Sequence, residues 1–410
     1  MGAAADAPCG TPARIPPLRV TCYTAVSALG AGRHAHLRAL LESRSGLRRN
    51  DFTDTPLETW IGRVDGLEQA ALPAGFAEWD CRNNRLAWMA LQADGFMAAV
   101  DKARLRHGAD RVALVVGTST SSIGASEEAY RRLTPDGMYP QDLRRPIVHT
   151  PHSLGDFLQH ALQLEGPAVT VATACSSSAK AFAVAERWLR LDLADAVVVG
   201  GVDALCDSVL FGFNALGLIA AAPCRPFGAG RSGISVGEAA GFALLERGAG
   251  ALQLLGYGES NDAHHMSSPH PQGLGAELAL DDALARADLA ASEIDYLNLH
   301  GTASARNDEV EAALVARRYD ARVHASATKG VTGHTMGAAG MVEALVCLQA
   351  LADGWLPGSV GAAPLDPALG QPFAARLQAD TVQRPARRAA SHSFGFGGNN
   401  CVLVFARGVQ

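Results

Sequence analysis

The chain has 410 residues, of which 48% are hydrophobic and 19% charged, with a formal net charge of −6. That length buries a sizeable core, in one large or two ordinary domains. The small negative balance argues against non-specific nucleic-acid binding and against attraction to anionic membranes, and no window approaches ~20 uninterrupted apolar residues, so no membrane span is expected.

Residues 1–17 are dominated by Ala, Gly and Pro and lack a basic stretch followed by an apolar one. They read as a poorly ordered arm without a secretory signal. Strand and helix patterns then alternate. "RVALVVG" (111–117), "AVTVATA" (168–174) and "AVVVGG" (196–201) are β-branched runs suited to strands covered on both faces of an α/β layered fold. "AKAFAVAERWLRL" (179–191) and "GMVEALVCLQALADG" (340–354) carry helical spacing, with alanines that permit close packing. A strand ending "VATAC" leads through small residues into the first helix, and "ASATKGVTGHTMGAAG" (325–340) does the same before the second. The repetition suggests related halves, 18–248 and 249–410, joined near "LERGAGALQLLG" (245–256) and sharing one rigid body. Eight scattered cysteines with no CxxC pair and no zinc-like spacing point to a reducing cytoplasm, with neither disulfides nor a structural metal.

Four segments carry candidate chemistry. In "TVATACSSSAKAFAVAERWL" (170–189), Cys175 stands where a strand feeds a helix. It is either a small buried filler or a nucleophile whose thiol pKa the free N–H groups of the helix start would lower. In "LNLHGTASARNDEVEAALV" (297–315), His300 sits at the mouth of a strand, before a helix that Asn307 or Asp308 would cap. It is a catalytic group or a satisfied structural histidine. In "SATKGVTGHTMGAAGMVEAL" (326–345), Lys329 and His334 are long polar side chains among small residues. Lys329 is either a surface lysine or the partner of Glu343, which falls on an apolar helix face. "SHSFGFGGNNCVLVF" (391–405) is either a Gly-hinged loop with an aromatic plug or an ordinary hairpin turn.

Six ordered motifs, "TACSSSAK", "CRPFGAGRSGISVGEAAG", "NDAHHMSSP", "LHGTASARNDEVEA", "KGVTGHTMGAAGMVEA" and "SFGFGGNN", together resemble the elongating β-ketoacyl-acyl carrier protein synthases, from about residue 18 to 407. The resemblance implies the thiolase fold, two similar αβαβα halves forming a five-layer core. It implies Cys175 as nucleophile, His300 and His334 as the active-site histidines, Lys329 as the buried lysine and Glu343 as its supporting carboxylate. Phe396 matches the gating phenylalanine, its N–H joining that of Cys175 in an oxyanion hole. Thr302 and Ser304 match hydroxyls that hold a pantetheine arm, and Arg82 and Arg85 a patch offered to an acidic acyl carrier protein. No metal or resident cofactor is implied, since the phosphopantetheine arm belongs to the carrier. The expected partner subunit is an identical chain or a homologous chain-length factor.

The Cys-His-His set is unlike the Cys-His-Asn of starter-unit synthases, and Cys401, past the glycine pair in an apolar strand, reads as structural rather than as a thiolase's second cysteine. Ala239, Asn399, Ser304 and Ala305 depart from the usual family residues without removing a catalytic group. Thr120 falls near a position that often bears a larger aliphatic residue limiting acyl length, so long or stiff chains are expected to fit. With "FAEWDCRNNRLAWMA" (76–90), this is similar to synthases of aryl polyene and xanthomonadin-type pigment assembly. The alternatives are housekeeping fatty acid elongation, or a mainly structural subunit that shapes a partner's tunnel.

Overall fold

The computed structural model describes residues 14–408. Ten strands, five from each half, build the main sheets. We number them β1 (Leu18–Ser27), β2 (Val112–Gly117), β3 (Ala168–Val171), β4 (Ala196–Asp203), β5 (Ala239–Arg247), β6 (Leu252–Asn261), β7 (Tyr296–Asn298), β8 (His324–Ser326), β9 (Arg388–Gly395) and β10 (Asn399–Arg407). The first sheet runs β1-β5-β4-β2-β3, with Gly30–Ala31 added beside β1, and the second runs β6-β10-β9-β7-β8. Within each half the order is therefore first, fifth, fourth, second, third. The directions match as well: the first, fifth and fourth strands pair antiparallel, and the fourth, second and third pair parallel. The duplication sensed in the sequence is thus a duplication of topology, and the layered α/β arrangement agrees with the thiolase fold.

Between the sheets lie the helices α1 (Ser177–Arg190) and α3 (Ala339–Asp353), while α2 (Ala305–Arg318) covers the second half. Small residues let the central pair approach closely. A Cβ on Gly340 would stand 2.7 Å from the Ala179 nitrogen, and the Met341 N–H donates to Ser178 Oγ at 2.9 Å. One apolar cluster runs from Tyr23 and Val199 through Phe182 and Met341 to Tyr296 and Phe405, so both halves share a core. Met336–Asp353 is long and apolar enough to cross a membrane, but 89% of it is buried here as a core helix.

Two expectations change. Residues 1–13 lie outside the described residues, but Ile15, assigned to the arm, is buried and its N–H donates to the Arg286 carbonyl at 3.0 Å. "AVTVATA" is not covered on both faces: only 168–171 form a strand, at a sheet edge, half-buried throughout, and Ala172 is exposed. The outermost position of β3 leaves one flank without a neighbour among the described residues.

Candidate active site

Cys175 follows the third strand of the first half, and Lys329 and His334 follow the third strand of the second. His300 follows the second strand of its half, and Phe396 lies between the fourth and fifth. The shared topology brings these ends together beneath one cavity of about 380 Å³, lined by Cys175, His300, His334, Phe394 and Phe396. Left-handed non-glycine residues flank three of the five: Ala174 (φ 52°) before Cys175, Ala303 (φ 68°) after His300 and Met336 (φ 53°) after His334. Such conformations cost roughly 1–3 kcal/mol each and persist only where surrounding bonds hold them, typically at functional sites.

Those bonds are visible. Ser177 Oγ accepts the Thr173 N–H at 2.8 Å and donates to the Ala174 carbonyl at 2.6 Å, while Ser176 Oγ donates to the Thr173 carbonyl at 2.9 Å. The serines after Cys175 therefore tie the strand-to-helix turn instead of capping α1. The turn after His300 is held by two carboxylates one helical turn apart on α2. Glu311 accepts the His300 and Gly301 N–H groups, both at 2.8 Å, and Asp308 accepts those of Thr302 (3.1 Å) and Ala303 (3.2 Å). Asp308 thus reaches back from inside the helix, which starts at Ala305 behind Ser304, and neither Asn307 nor Asp308 is the cap residue.

The imidazole tautomers follow from their partners. The Met336 N–H donates to His334 Nδ1 at 3.1 Å, so the proton sits on Nε2, which faces Cys175 Sγ at 3.0 Å. Lys329 Nζ lies 3.3 Å from His300 Nδ1 and donates to the His300 carbonyl at 2.5 Å and to Glu343. His300 therefore also turns an Nε2–H toward the cavity, with its ring 5.5 Å from and nearly perpendicular to that of His334. Burial and the Lys329 charge push both imidazole pKa values well below the ordinary histidine range. Burial also pushes the Glu343 carboxyl up, against the pull of Lys329.

Cys175 Sγ and one nitrogen from each histidine lie within 4.8 Å of one another. The bonds just described place protons on both facing nitrogens, an arrangement suited to donating to an oxygen. The thiol departs from expectation. Burial raises Cys175 to about 11, outweighing the Lys329 charge and the Phe396 N–H directed at the sulfur. Burial at the cavity floor is the largest influence on the sulfur, which still lines the cavity.

The glycine loop is a hairpin turn between β9 and β10, with Gly397 (φ 76°) and Gly398 (φ 72°) left-handed. It is fastened to the "NDAHHM" segment: the Gly397 N–H donates to the Met266 carbonyl at 2.7 Å, and the Asp262 N–H to the Gly398 carbonyl at 2.9 Å. The Phe396 ring packs edge-on against Phe213 at 5.7 Å.

The N-terminal domain of β-ketoacyl synthase matches residues 83–251, and its C-terminal domain matches residues 252–363. The chain belongs to the β-ketoacyl synthase family. It is 34% identical to nodulation protein E of Rhizobium meliloti (strain 1021) over 307 residues, 72% of this chain and 75% of that one. It is 29% identical to 3-oxoacyl-[acyl-carrier-protein] synthase 2 of Vibrio harveyi across 95% of this chain and 98% of that one. Among solved structures, a chain of the ketosynthase–chain length factor complex from Xenorhabdus doucetiae superposes with a TM-score of 0.85 at 33% identity, over 96% of this chain and 98% of that one. A β-ketoacyl synthase from Burkholderia phymatum STM815 superposes with a TM-score of 0.83 at 25% identity, over 96% of this chain and the whole of that one. The protein is an acyltransferase that condenses acyl groups on acyl carrier protein.

The remaining expected residues of the synthase divide. Thr302 and Ser304 line the cavity, with their hydroxyl oxygens 2.8 Å apart. Arg82 does not stand as a free docking cation. Its guanidinium makes a bidentate pair with buried Glu238 (2.9 and 2.6 Å) and a further bond to Glu68 (2.6 Å). Arg85 is likewise bidentate to Asp80, at 2.6 and 2.5 Å. Both line a different cavity, whose lining does not include Cys175. Thr120 is buried and its hydroxyl donates to Asp203 at 2.6 Å.

Sequence reasoning missed Asp203, Glu238 and Glu311 as organisers. For Glu311 a signal existed: "NDEVEA" places carboxylates three residues apart, hence on one face of a helix that starts at the His300 turn.

Proposed function

We propose that Cys175 is the nucleophile and that His300 and His334 are the electrophilic pair of a decarboxylative Claisen condensation. The carrying observation is the two Nε2–H groups and the thiol converging on one cavity floor. In the first half-reaction the Cys175 sulfur attacks an acyl-carrier thioester. The acyl carbon–sulfur bond to the carrier breaks, and the thiol's proton leaves with the carrier's phosphopantetheine sulfur. His334 Nε2–H and the Phe396 N–H stabilise the thiolate as it forms, and the amides of Cys175 and Phe396 receive the tetrahedral oxyanion.

In the second half-reaction a malonyl thioester presents its carbonyl oxygen to both imidazoles. Carbon dioxide departs and leaves the bonding pair in an enolate, which two neutral donors stabilise without protonating it. The enolate carbon attacks the acyl carbonyl on Cys175, the sulfur leaves, and a 3-oxoacyl carrier is released. Lys329, itself fixed by Glu343, keeps His300 in the donating tautomer. Thr302 and Ser304 hold the carrier's pantetheine arm along the cavity wall, and the protein needs no metal or cofactor of its own.

The half-exposed edge strand β3, running straight into Cys175, supports assembly with a second synthase-fold subunit. We place the protein in the cytoplasm, with a homologous chain-length-factor subunit or a second copy as that partner. The similarity to a ketosynthase–chain length factor complex supports polyene or polyketide-type assembly over housekeeping fatty acid elongation.

The test is incubation with malonyl carrier and a panel of saturated and aryl-enoyl acyl carriers, read by mass spectrometry. Acyl mass on Cys175 and a 3-oxoacyl product are expected. No acyl mass on Cys175 sinks the assignment, and turnover of saturated chains alone sinks the polyene reading. Cys175→Gln, which mimics the acylated side chain, is expected to keep malonyl decarboxylation while abolishing condensation.

A further inference from the structure

A buried polar chain behind His300 is not used by the chemistry above. His392 lies within β9, fully buried, with Nδ1 3.0 Å from Glu311 Oε1 and Nε2 2.9 Å from the Tyr319 hydroxyl. Glu311 is the carboxylate that accepts the His300 and Gly301 N–H groups. We infer that Tyr319 and His392 form an ordered hydrogen-bond relay onto Glu311 that positions His300, making both of them positioning residues for the decarboxylation half-reaction. The inference rests on the role proposed above for His300.

The direction of the relay is fixed by its ends. Burial raises the Tyr319 phenol well above its ordinary pKa, so its O–H persists and serves as a donor. It donates to His392 Nε2, which leaves the ring proton on Nδ1, aimed at Glu311 Oε1. Oxygen Oε1 then receives His392 and the His300 amide, while Oε2 receives the Gly301 amide. Among the donors in the described residues, only His392 comes from outside the turn that Glu311 organises. Without it, the carboxylate is held by the segment it is meant to hold.

A second contact runs through apolar surface. The Phe394 ring lies 5.1 Å from His392 and 5.9 Å from His300, and it lines the cavity. His392 therefore bears on His300 twice, through the backbone by way of Glu311 and through the ring by way of Phe394. His334 and Cys175 are held by other groups, the Met336 amide and the serine-tied turn. The relay is thus asymmetric, acting on the enolate-stabilising imidazole and not on thiol acylation.

The experiment compares the wild-type chain with His392→Leu, His392→Asn and Tyr319→Phe, measuring malonyl-carrier decarboxylation and Cys175 acylation separately. His392→Leu is expected to lower the decarboxylation kcat about 10–100-fold, as loss of an orienting partner does for a metal-bound imidazole, with acylation retained. His392→Asn restores an N–H donor near the Nδ1 position and is expected to recover most of the loss. Tyr319→Phe leaves His392 in place and is expected to give a smaller drop in the same half-reaction. An equal fall in both half-reactions, or an unchanged ratio in folded His392→Leu, overturns the inference. If His392→Leu does not fold, Tyr319→Phe decides: an unmoved ratio of decarboxylation to acylation overturns it. A wild-type chain that performs neither half-reaction fails the proposed function instead, so the two failures are distinguishable.

Discussion

The two halves share strand order and direction, yet their equivalent loop ends do opposite things. In the first half, the loop after β2 and the end of β4 close on each other. The Asp203 carboxylate receives the Thr118 and Thr120 hydroxyls (2.7 and 2.6 Å) and the Ser119, Thr120 and Gly337 amides (2.9, 2.8 and 2.6 Å). In the second half, the corresponding ends carry His300 and the Phe394–Phe396 segment and line an open cavity. Topology fixes where loop ends meet. Whether such an end seals or opens is decided by which polar groups satisfy one another there and which are left facing a ligand. The Gly337 amide joins the two cases, because it fastens the turn after His334 to the sealed end.

The sharpest test of that contrast sets His300→Ala against Asp203→Asn. His300→Ala removes a donor needed only as enolate charge develops, so malonyl decarboxylation should fall about 10²–10³-fold with Cys175 acylation retained. Asp203→Asn removes a charge to which buried donors point, at about 1.5–3 kcal/mol for a charge-assisted bond. It should lower the denaturant midpoint far more than kcat. A kcat loss for Asp203→Asn at unchanged stability would mean that the first-half end takes part in the reaction.

Arg82 allows a second comparison, between a buried and a surface ion pair. Glu238 is fully buried and also accepts the Val64 and Leu205 amides, both at 2.9 Å. Arg82→Ala leaves that carboxylate without its cation, and breaking such a pair costs about 3–5 kcal/mol. Arg85→Ala breaks a pair whose side chains are each about one-third exposed, which is worth about 0.2–1 kcal/mol. Urea unfolding should separate the two variants clearly. A raised KM for the carrier in folded Arg82→Ala would restore the docking role expected from the sequence.

Much of the candidate site was legible because its polar side chains sit in short motifs whose residue types have few other uses. Cys175, Lys329 and His334 each interrupt runs of small residues, and Cys175, His300 and His334 line one cavity with Lys329 buried beside His300. The supporting carboxylates were not legible. Asp203 and Glu238 sit among apolar and small residues, and their bonding partners come from other strands and loops, up to 174 residues away. Nothing local distinguishes a buried acceptor from a solvated one until those partners are placed. The same holds for β3, whose apolar sequence suits a central strand but which lies at the sheet edge. The thiol was misjudged for a related reason: proximity to a helix start is readable in sequence, whereas the burial that outweighs it is a property of the assembled cavity.

The burial of the thiol leads to the smallest effect, a pH profile that separates the proposed nucleophile of the first half from the proposed donors of the second. With the Cys175 thiol raised to about 11, the thiolate is a minor species at neutral pH. Far below a pKa the thiolate fraction grows about tenfold per pH unit, and the single-turnover rate of Cys175 acylation should follow it between roughly pH 6 and 8. The imidazoles behave oppositely. Their pKa values lie well below the ordinary range, so both stay neutral as pH falls from 8 through the usual histidine value, and charge only at still lower pH. Decarboxylation by Cys175→Gln, which carries no thiol, should therefore stay flat over the window in which acylation climbs. A flat acylation profile would show that the helix start and Lys329 overcome burial after all. A decarboxylation rate that drops with a midpoint near the unperturbed value of about 6.5 would show that His300 or His334 is open to solvent, and would erase the electrostatic difference between the two half-reactions.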